Sequence, residues 1–383
     1  MKTLLTLLIL SVVTTSASAV EPEWNQFRGG RGDGSSRANG IPTTWSETKN
    51  VAWKTAIWGK AWSSPVVWKN RIWVTTATAD GRRLAVMCLD KTTGKILHDQ
   101  TVFRPVKPQY GDPFNSYASS TAWVEEGRVY IHFGSLGTAC LDTETYKVLW
   151  KRNDLPCNHF RGAASSVSIY GNQMFLPFDG SDVQYVVALD KRTGKTLWRT
   201  DRNVDFGGLG GAHRKAFCTA RVITHNGRTQ VIIPAALATM SYDPATGKEL
   251  WRVMHGGANT ACPALFHKGA VLQQRRCHQS ADGRPTRRPR RCHQDPRQWQ
   301  RCGDFPPGRQ SSSGDAIYMV NNDGIASCST PQPAHRWARR LTGKYSASPT
   351  LVGERVFCFE EEKGLCHVFA ATRTLPETGH QHA

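Results

Sequence analysis

The sequence lacks several signals that would point directly to a known chemistry. Its 383 residues contain no Cys-x-x-Cys-His sequence for covalent haem attachment and no glycine-rich phosphate loop between a strand and a helix. Beyond the N-terminus no apolar run is long enough to span a membrane, and no segment has the periodicity of an amphipathic helix. No cysteine precedes Cys88, so we expect no lipid-anchoring cysteine near the start. These absences favour a β-rich protein without a membrane span.

The first residues have the composition of an export signal. Lys2 provides a positive start, residues 4–13 are apolar, and residues 17–19 form a small-residue cleavage site. We predict a signal peptide over residues 1–19 and an N-terminal extension over residues 20–50. The mature protein is therefore expected in the periplasm or outside the cell, without a lipid anchor.

The cysteine content suggests a disulfide framework and the positive charge suggests an anionic partner, but the distribution of these residues along the chain supports neither. The eleven cysteines are odd in number and irregularly spaced, which favours buried thiols over a disulfide framework. The formal net charge is +19, but residues 271–314 contribute +7 through ten arginines and three aspartates. The rest is spread over more than three hundred residues, which does not indicate nucleic-acid binding.

A short phrase with the pattern Asp-x-x-Thr-Gly-x-x-Leu-Trp recurs along the chain. Its aspartates are 52, 48 and 53 residues apart and are Asp90, Asp142, Asp190 and Asp243. The aspartate can accept hydrogen bonds from backbone amides of a turn, and the glycine supplies a positive φ that closes it. Tyr146 replaces this glycine in the second copy and is expected to be strained. His98 replaces the tryptophan in the first copy.

A second phrase, a small-residue strand followed by a turn and an alternating apolar strand, precedes each copy. Examples begin at Trp62, Tyr117, Ala164 and Tyr345. Four short strands per unit of about 50 residues, without helices, predict the blades of a β-propeller. Small residues on the innermost strand suit a crowded central axis.

The repeat resembles the quinoprotein (PQQ-type) repeat, whose turn phrase is Ala-x-Asp-x-x-Thr-Gly-x-x-x-Trp. Residues 188–198 match it at each position, and residues 24–34 look like the opening of exported bacterial PQQ-like propeller proteins. The resemblance implies an all-β, PQQ-like propeller of four-stranded blades over residues 51–374. Counting the repeated phrases predicts about seven blades in this chain, and the resemblance implies eight in an intact protein. The segment 51–55 is expected to complete the last blade and close the ring.

Residues 271–314 interrupt the repeat where another blade is due. We interpret this arginine-rich, poorly apolar stretch as read in a shifted frame and expect it to be disordered. Shifting the codons after Cys328 by one base restores a Leu-Asp-Pro-Ala-Thr-Gly phrase, and the tail 375–383 is interpreted as similarly aberrant. A native basic linker is the alternative. The Cys-His pairs of this stretch lack the spacing of a zinc site.

Candidate binding residues precede the innermost strands, where a propeller opens its central channel to ligands. They are Asn115, Tyr117, His159, Arg161 and His213, and Asp179 is a further candidate from a turn elsewhere in the chain. Asp179 and Asp182 could suggest calcium, but a simple turn is the preferred interpretation. The tripeptide 31–33 reads Arg-Gly-Asp and is likewise interpreted as a turn.

These features predict a non-catalytic exported propeller that acts as a binding or scaffold protein through its channel mouth. Its partner is expected to be a protein or a small-molecule ligand and not a nucleic acid, and the chain to be a monomer. The alternative is a PQQ-dependent dehydrogenase of sugars or alcohols. That family places a vicinal cysteine pair over its cofactor, and the pair is missing here. No catalytic residue or metal site is predicted, and no cofactor is required, although PQQ with calcium would suit the alternative.

Overall fold

The computed structural model describes residues 23–267, 270–272, 309–313, 316–329, 335–374 and 378–382. This part consists of 27 β-strands and one 3-10 helix, Gly211–His213. None of its helices has the length and apolar character needed to cross a membrane. The predicted signal peptide, most of 271–314 and part of the tail lie outside the described residues.

The first four sheets each contain four antiparallel strands in chain order. In the first two sheets these are β2 Val66–Trp68, β3 Arg71–Ala77, β4 Leu84–Asp90, β5 Ile96–Phe103, β6 Trp123–Glu125, β7 Arg128–His132, β8 Thr138–Asp142 and β9 Val148–Arg152. In the next two they are β10 Ser168–Tyr170, β11 Gln173–Asp179, β12 Gln184–Asp190, β13 Thr196–Asp201, β14 Arg221–His225, β15 Arg228–Pro234, β16 Ala238–Tyr242 and β17 Glu249–Met254.

The later sheets are less uniform. A two-stranded hairpin, β18 Leu265–His267 and β19 Ala270–Leu272, is followed by a four-stranded sheet. The strands of that sheet are β20 Arg309–Ser313, β21 Ala316–Val320, β22 Ile325–Ser329 and β23 His335–Arg340. The last sheet consists of β24 Thr350–Val352, β25 Arg355–Phe359, β26 Leu365–Ala370 and β27 Thr378–His382, with β1 Ser35–Ser36 added parallel to β24. In the described residues the predicted all-β propeller is confirmed with six blades of four strands, whereas the count of about seven stays a prediction.

The recurring phrase forms the turn between the third and fourth strands of a blade. In the third blade Asp190 Oδ1 accepts hydrogen bonds from the backbone amides of Arg192 and Thr193, at 2.9 and 2.8 Å. Gly194 has φ +74° and donates its amide to the Asp190 carbonyl. Tyr146 adopts φ +60° at the glycine position of the second blade, so the predicted strain is confirmed.

The register between the third and fourth strands repeats from blade to blade. In the third blade Ala188 pairs with Trp198 of the fourth strand, and the pairing register shifts by one residue immediately after Ala188. The same shift follows Cys140 and Cys328, the latter lying opposite Trp337. The predicted equivalence of Cys328 with Cys88 and Cys140 is therefore confirmed. All eight described cysteines are buried, and none of them forms a disulfide.

Neighbouring blades pack face to face around a common axis. Apolar side chains of adjacent sheets form shared core clusters, such as the one in which Val86 and Cys88 join Val129 and Ile131. The innermost strands β2 and β6, β10 and β14, and β20 and β24 approach each other closely. This places the free edges of the innermost strands along a central channel.

The N-terminal segment, residues 24–36, crosses that channel. The carbonyls of Trp24 and Asn25 accept hydrogen bonds from the amides of Val67 and Val124 on β2 and β6. Its far end pairs with the innermost strand of the last blade. The segment therefore ties the first two blades to the last one.

The expectation that residues 51–55 complete the last blade differs from the structure. No strand is formed there, and the fourth strand of the last sheet is β27. Trp53 instead donates its indole N–H to the Lys91 carbonyl and lies over Gly94 of the first blade. Because β27 already pairs with the edge of β26, residues 51–55 contact the first blade instead.

Candidate functional site

Four loops that precede innermost strands form one continuous face, which we call the channel-mouth surface. They are residues 58–65, 104–122, 153–167 and 202–220. Hydrogen bonds join them: Ser116 Oγ donates to the Lys60 carbonyl at 2.5 Å, and Gln109 Nε2 donates to the Cys157 carbonyl at 2.7 Å. The predicted candidates Asn115, Tyr117, His159, Arg161 and His213 all lie on these loops, and Asp179 lies at the end of β11 beside them.

Asn115 and Arg161 lie on two neighbouring loops of the channel-mouth surface. Asn115 Nδ2 donates to the Arg161 carbonyl at 2.8 Å, and Asn115 Oδ1 accepts from the amide of Ser116. The Arg161 side chain is exposed and lies 3.5 Å from Asp112 Oδ2. The amide of Asn115 therefore connects two loops, whereas the Arg161 guanidinium faces solvent.

Tyr117 has a packing role in the same region. Its hydroxyl donates to the Gln109 carbonyl at 2.5 Å, and its ring covers Gly81 and Gly111. Burial raises the pKa of this phenol. These contacts fix the ring beneath the loop rather than presenting it to a ligand.

His159 is buried at the centre of a cluster with Cys157 and Lys215. Its Nε2 accepts a hydrogen bond from the Ser135 amide at 3.1 Å, which places the proton of the neutral ring on Nδ1. Nδ1 lies 3.3 Å from Lys215 Nζ and 3.7 Å from Cys157 Sγ. Burial, together with the Lys215 charge, holds the pKa of His159 well below its usual value.

Lys215 is only 1% exposed, and sequence analysis did not select it as a principal candidate. Burial lowers its pKa to about 8, and burial raises the pKa of the Cys157 thiol to about 12. A neutral Lys215 amine can accept the Nδ1 proton of His159, whereas an ammonium cannot. The Nδ1 proton of His159 therefore opposes an ammonium at Lys215, which agrees with the lowered pKa of both groups.

Asp179 is paired with a residue that sequence analysis did not identify. Arg202 Nε and Nη2 approach its carboxylate oxygens at 2.7 and 2.8 Å, and both side chains are almost completely buried. Burial raises the pKa of Asp179 against the opposing charge of Arg202. Asp182 faces the amides of Asn158 and Val183 instead, so the two aspartates do not converge on a common point.

His213 lies exposed in the 3-10 helix and does not belong to the buried cluster of His159, Cys157 and Lys215. Only Lys215, two residues further on, reaches His159. The six candidates therefore divide into an exposed group and a buried group, both belonging to the same face.

The most exposed feature of the channel-mouth surface is apolar, and the sequence analysis missed it. Phe114 is 92% exposed, Val106 85%, Tyr110 63% and Trp62 51%. Pro105, Pro108 and Pro113 interrupt the loop that carries the first three. The sequence signal for this exposure was a 19-residue loop in which closely spaced prolines flank apolar residues. Such a loop cannot fold back to bury its apolar side chains.

The buried charged groups of this surface do not fit PQQ with calcium. This cofactor is a quinone carrying several carboxylates, so its site needs free cations and clustered oxygen ligands for the metal. Arg202 is already paired with Asp179, and Lys215 is enclosed against His159. Within the described residues no group of three or more His, Cys, Asp or Glu side chains is arranged to hold a metal ion.

Comparison with known proteins supports the propeller fold. A curated relative, the quinoprotein ethanol dehydrogenase of Pseudomonas aeruginosa, is 32% identical over 155 residues, which is 37% of this chain and only 24% of that protein. BamB from Moraxella catarrhalis superposes with a TM-score of 0.57 at 14% identity and covers 84% of this chain and 88% of its own. The quinohemoprotein alcohol dehydrogenase of Comamonas testosteroni gives 0.55 at 12% identity, with 82% and 66% covered.

The family assignment rests on a match along nearly the whole propeller. The family model described as outer membrane protein assembly factor BamB, built on PQQ-type repeats, matches residues 46–206, 182–286 and 235–375. The chain therefore belongs to this BamB-like family of PQQ-repeat β-propellers.

Proposed function

We propose that this protein is a non-catalytic, exported propeller that binds a partner protein through its channel-mouth surface. The observation that carries the proposal is the exposure of Phe114, Val106, Tyr110 and Trp62 on one face. Large apolar side chains that cluster at the surface of a soluble protein commonly mark a protein–protein interface. The similarity to BamB, an assembly factor by its name, supports a protein partner in the cell envelope.

The charge around these side chains indicates what the partner offers. Arg104 and Lys107 are exposed on either side of Val106, and Arg161 is exposed nearby. A partner with an apolar centre and an acidic rim would complement this surface. Of the predicted candidates, Arg161 is the one available for direct contact, whereas Asn115 and Tyr117 hold the loop in shape.

The test compares the proteins that co-purify from envelope extracts with the wild type and with a Val106→Ser, Phe114→Ser variant. Because both side chains are exposed, the variant should keep its thermal unfolding midpoint. We expect at least one partner to depend on these two side chains. A co-purifying set unchanged by the variant would refute the proposal.

The alternative, a PQQ-dependent dehydrogenase, is favoured by the similarity to quinoprotein ethanol dehydrogenase. Reconstitution with PQQ and calcium followed by dye reduction with alcohols and sugars separates the two functions. Turnover would support the dehydrogenase. No turnover by a folded chain would support the binding protein.

We also propose that the hairpin β18–β19 is the inner half of a further blade, which gives about seven blades of an intended eight. Its residues 265–272 occupy the position in the chain where that blade is due. The nucleotide sequence from codon 265 to beyond the stop tests this, because a shifted frame restores the missing phrase and an intact frame does not.

A further inference from the structure

A cavity lies beneath the N-terminal segment, on the channel side of the innermost strands. Its volume is about 220 Å³, below the roughly 300–1,000 Å³ of pockets for drug-sized ligands. Trp123 of β6, Tyr170 of β10 and Arg221 of β14 line it, and Gln26 and Phe27 of the N-terminal segment cover it. Three blades and the segment that crosses them therefore line one small, partly open space.

Two charged residues line this cavity, Arg31 of the N-terminal segment and Arg221 of β14. The side chain of Arg221 is partly buried, and burial lowers its pKa against the opposing charge of Asp33. No residue in the described part of the chain accepts a hydrogen bond from its guanidinium or lies within ion-pair distance of it. A guanidinium that faces a cavity without a paired acceptor keeps its N–H donors available, which makes Arg221 a candidate to bind an anion.

Asp33 does not fill this role, because its carboxylate is used locally. Its Oδ1 accepts hydrogen bonds from the Ser35 amide at 2.9 Å and from Ser35 Oγ at 2.6 Å. Asp33 therefore stabilises the turn of the N-terminal segment and acts on Arg221 only at longer range. The Arg-Gly-Asp tripeptide forms the predicted turn, and its glycine contributes to the cavity.

Gly32 makes room for the guanidinium. It is buried, has φ +62°, and a Cβ added there would collide with Arg221 Nη1. A side chain at this position would push the guanidinium out of its present place. The backbone of the N-terminal segment is therefore shaped around the head group of Arg221.

The walls of the cavity indicate what accompanies the anion. Phe27, Trp123 and Tyr170 present aromatic rings, and Ile169 and Val222 add aliphatic surface. A guanidinium binds a carboxylate through two parallel hydrogen bonds, and aromatic rings pack well on a planar group. We propose that this cavity is a binding site for a small aromatic carboxylate, held by Arg221 and enclosed by the N-terminal segment.

The probe for the test is benzoate, with benzyl alcohol and inorganic phosphate as the comparison ligands. Calorimetric titration of the full chain should show benzoate binding, and saturating benzoate should raise the thermal unfolding midpoint. Arg221→Gln should weaken benzoate binding by about tenfold or more. Arg228→Gln, at an exposed position on the adjacent strand β15, should leave it unchanged.

The comparison ligands separate the two halves of the proposal. Weaker binding of benzyl alcohol supports recognition of the charge, and weaker binding of phosphate supports recognition of the ring. Equal binding of benzoate to wild type and Arg221→Gln, or no binding of benzoate to the wild type, would overturn the proposal. If Arg221→Gln does not fold, the arginine Nε–H resonance of Arg221 in the wild type should shift on benzoate addition, and an unshifted resonance would also overturn it.

Discussion

The imidazole of His98 stacks on the phenol ring of Tyr146 in the next blade, with ring centroids 4.2 Å apart and the rings 9° from parallel. At the equivalent place in later blades a tryptophan covers a glycine, as Trp198 covers Gly247 and Trp150 covers Gly194. Each indole also donates to a carbonyl of the turn it covers. The two substitutions in the repeat therefore compensate each other, because the smaller ring of His98, in place of tryptophan, faces the larger residue Tyr146, in place of glycine.

This compensation predicts strong coupling between positions 98 and 146. His98→Trp alone should destabilise the protein by about 1–3 kcal/mol, because the larger ring has no room over Tyr146. Adding Tyr146→Gly restores the Trp-over-Gly arrangement and removes a non-glycine residue from positive φ. Urea unfolding of both single variants and the double variant should give a coupling free energy of about 1 kcal/mol or more. Additive effects would show that the two positions are independent.

A second prediction concerns the glycine of the turn. Gly247→Ala should destabilise the fold by about 2–4 kcal/mol, because the new methyl group would lie 2.5 Å from Trp198 Cδ2 at φ +72°. Gly227→Ala is the matched control, since that glycine has φ +74° and no heavy atom within 4 Å of an added Cβ. The control should cost about 1–2 kcal/mol from the backbone alone. Equal losses in urea unfolding would show that the indole contact contributes nothing.

The buried ion pair provides a third prediction. Asp179→Asn should lower the free energy of unfolding by about 3–5 kcal/mol, because it leaves the Arg202 guanidinium buried without its counter-charge. Asp201→Asn removes an exposed partner of Arg199 and should change stability by less than about 1 kcal/mol. Chemical denaturation measures both. A small loss at Asp179 would mean that water or another group reaches Arg202.

The fourth prediction is a pH dependence at Lys215, whose pKa burial lowers from 10.5 to about 8. Between these values the unfolded chain carries a proton at this position that the folded chain does not, so this position contributes more stability as pH rises. Lys215→Met should therefore be most favourable, relative to wild type, near neutral pH. Its advantage should shrink by about 3 kcal/mol above pH 10.5.

Unfolding of both proteins across this pH range checks the prediction, and only their difference is interpreted because the buried thiols titrate in both. The exposed Lys195→Met variant reports the effect of removing a surface lysine. A difference between wild type and Lys215→Met that does not vary with pH would contradict the buried, weakly basic amine.

The fold could be predicted from the sequence because its determinants are local. The Asp-x-x-Thr-Gly phrase contains both the side-chain acceptor and the positive-φ residue of its own turn, so its spacing reveals the blades. The same logic identified the strain at Tyr146 and the alignment of Cys328. It could not show that residues 51–55 stay unpaired, because that depends on which segment occupies the edge of β26.

The candidate site was predictable in position but not in chemistry. The repeat shows where innermost strands begin, which places Asn115 and His159 on the channel-mouth surface. The pairing of Asp179 with Arg202 and the enclosure of Lys215 against His159 depend on contacts between loops and blades. No local pattern encodes such contacts, so the division into buried and exposed candidates emerges only from the fold.

The most direct test of a binding function for the channel-mouth surface is site-specific photo-crosslinking in living cells. A photoreactive phenylalanine analogue at position 114, which is 92% exposed, should give an adduct with a defined partner protein. The same analogue at Leu197, 49% exposed on the outer strand of the third blade, should not give that adduct. Identical adducts from both positions, or none from position 114, would contradict a partner-binding role for this face.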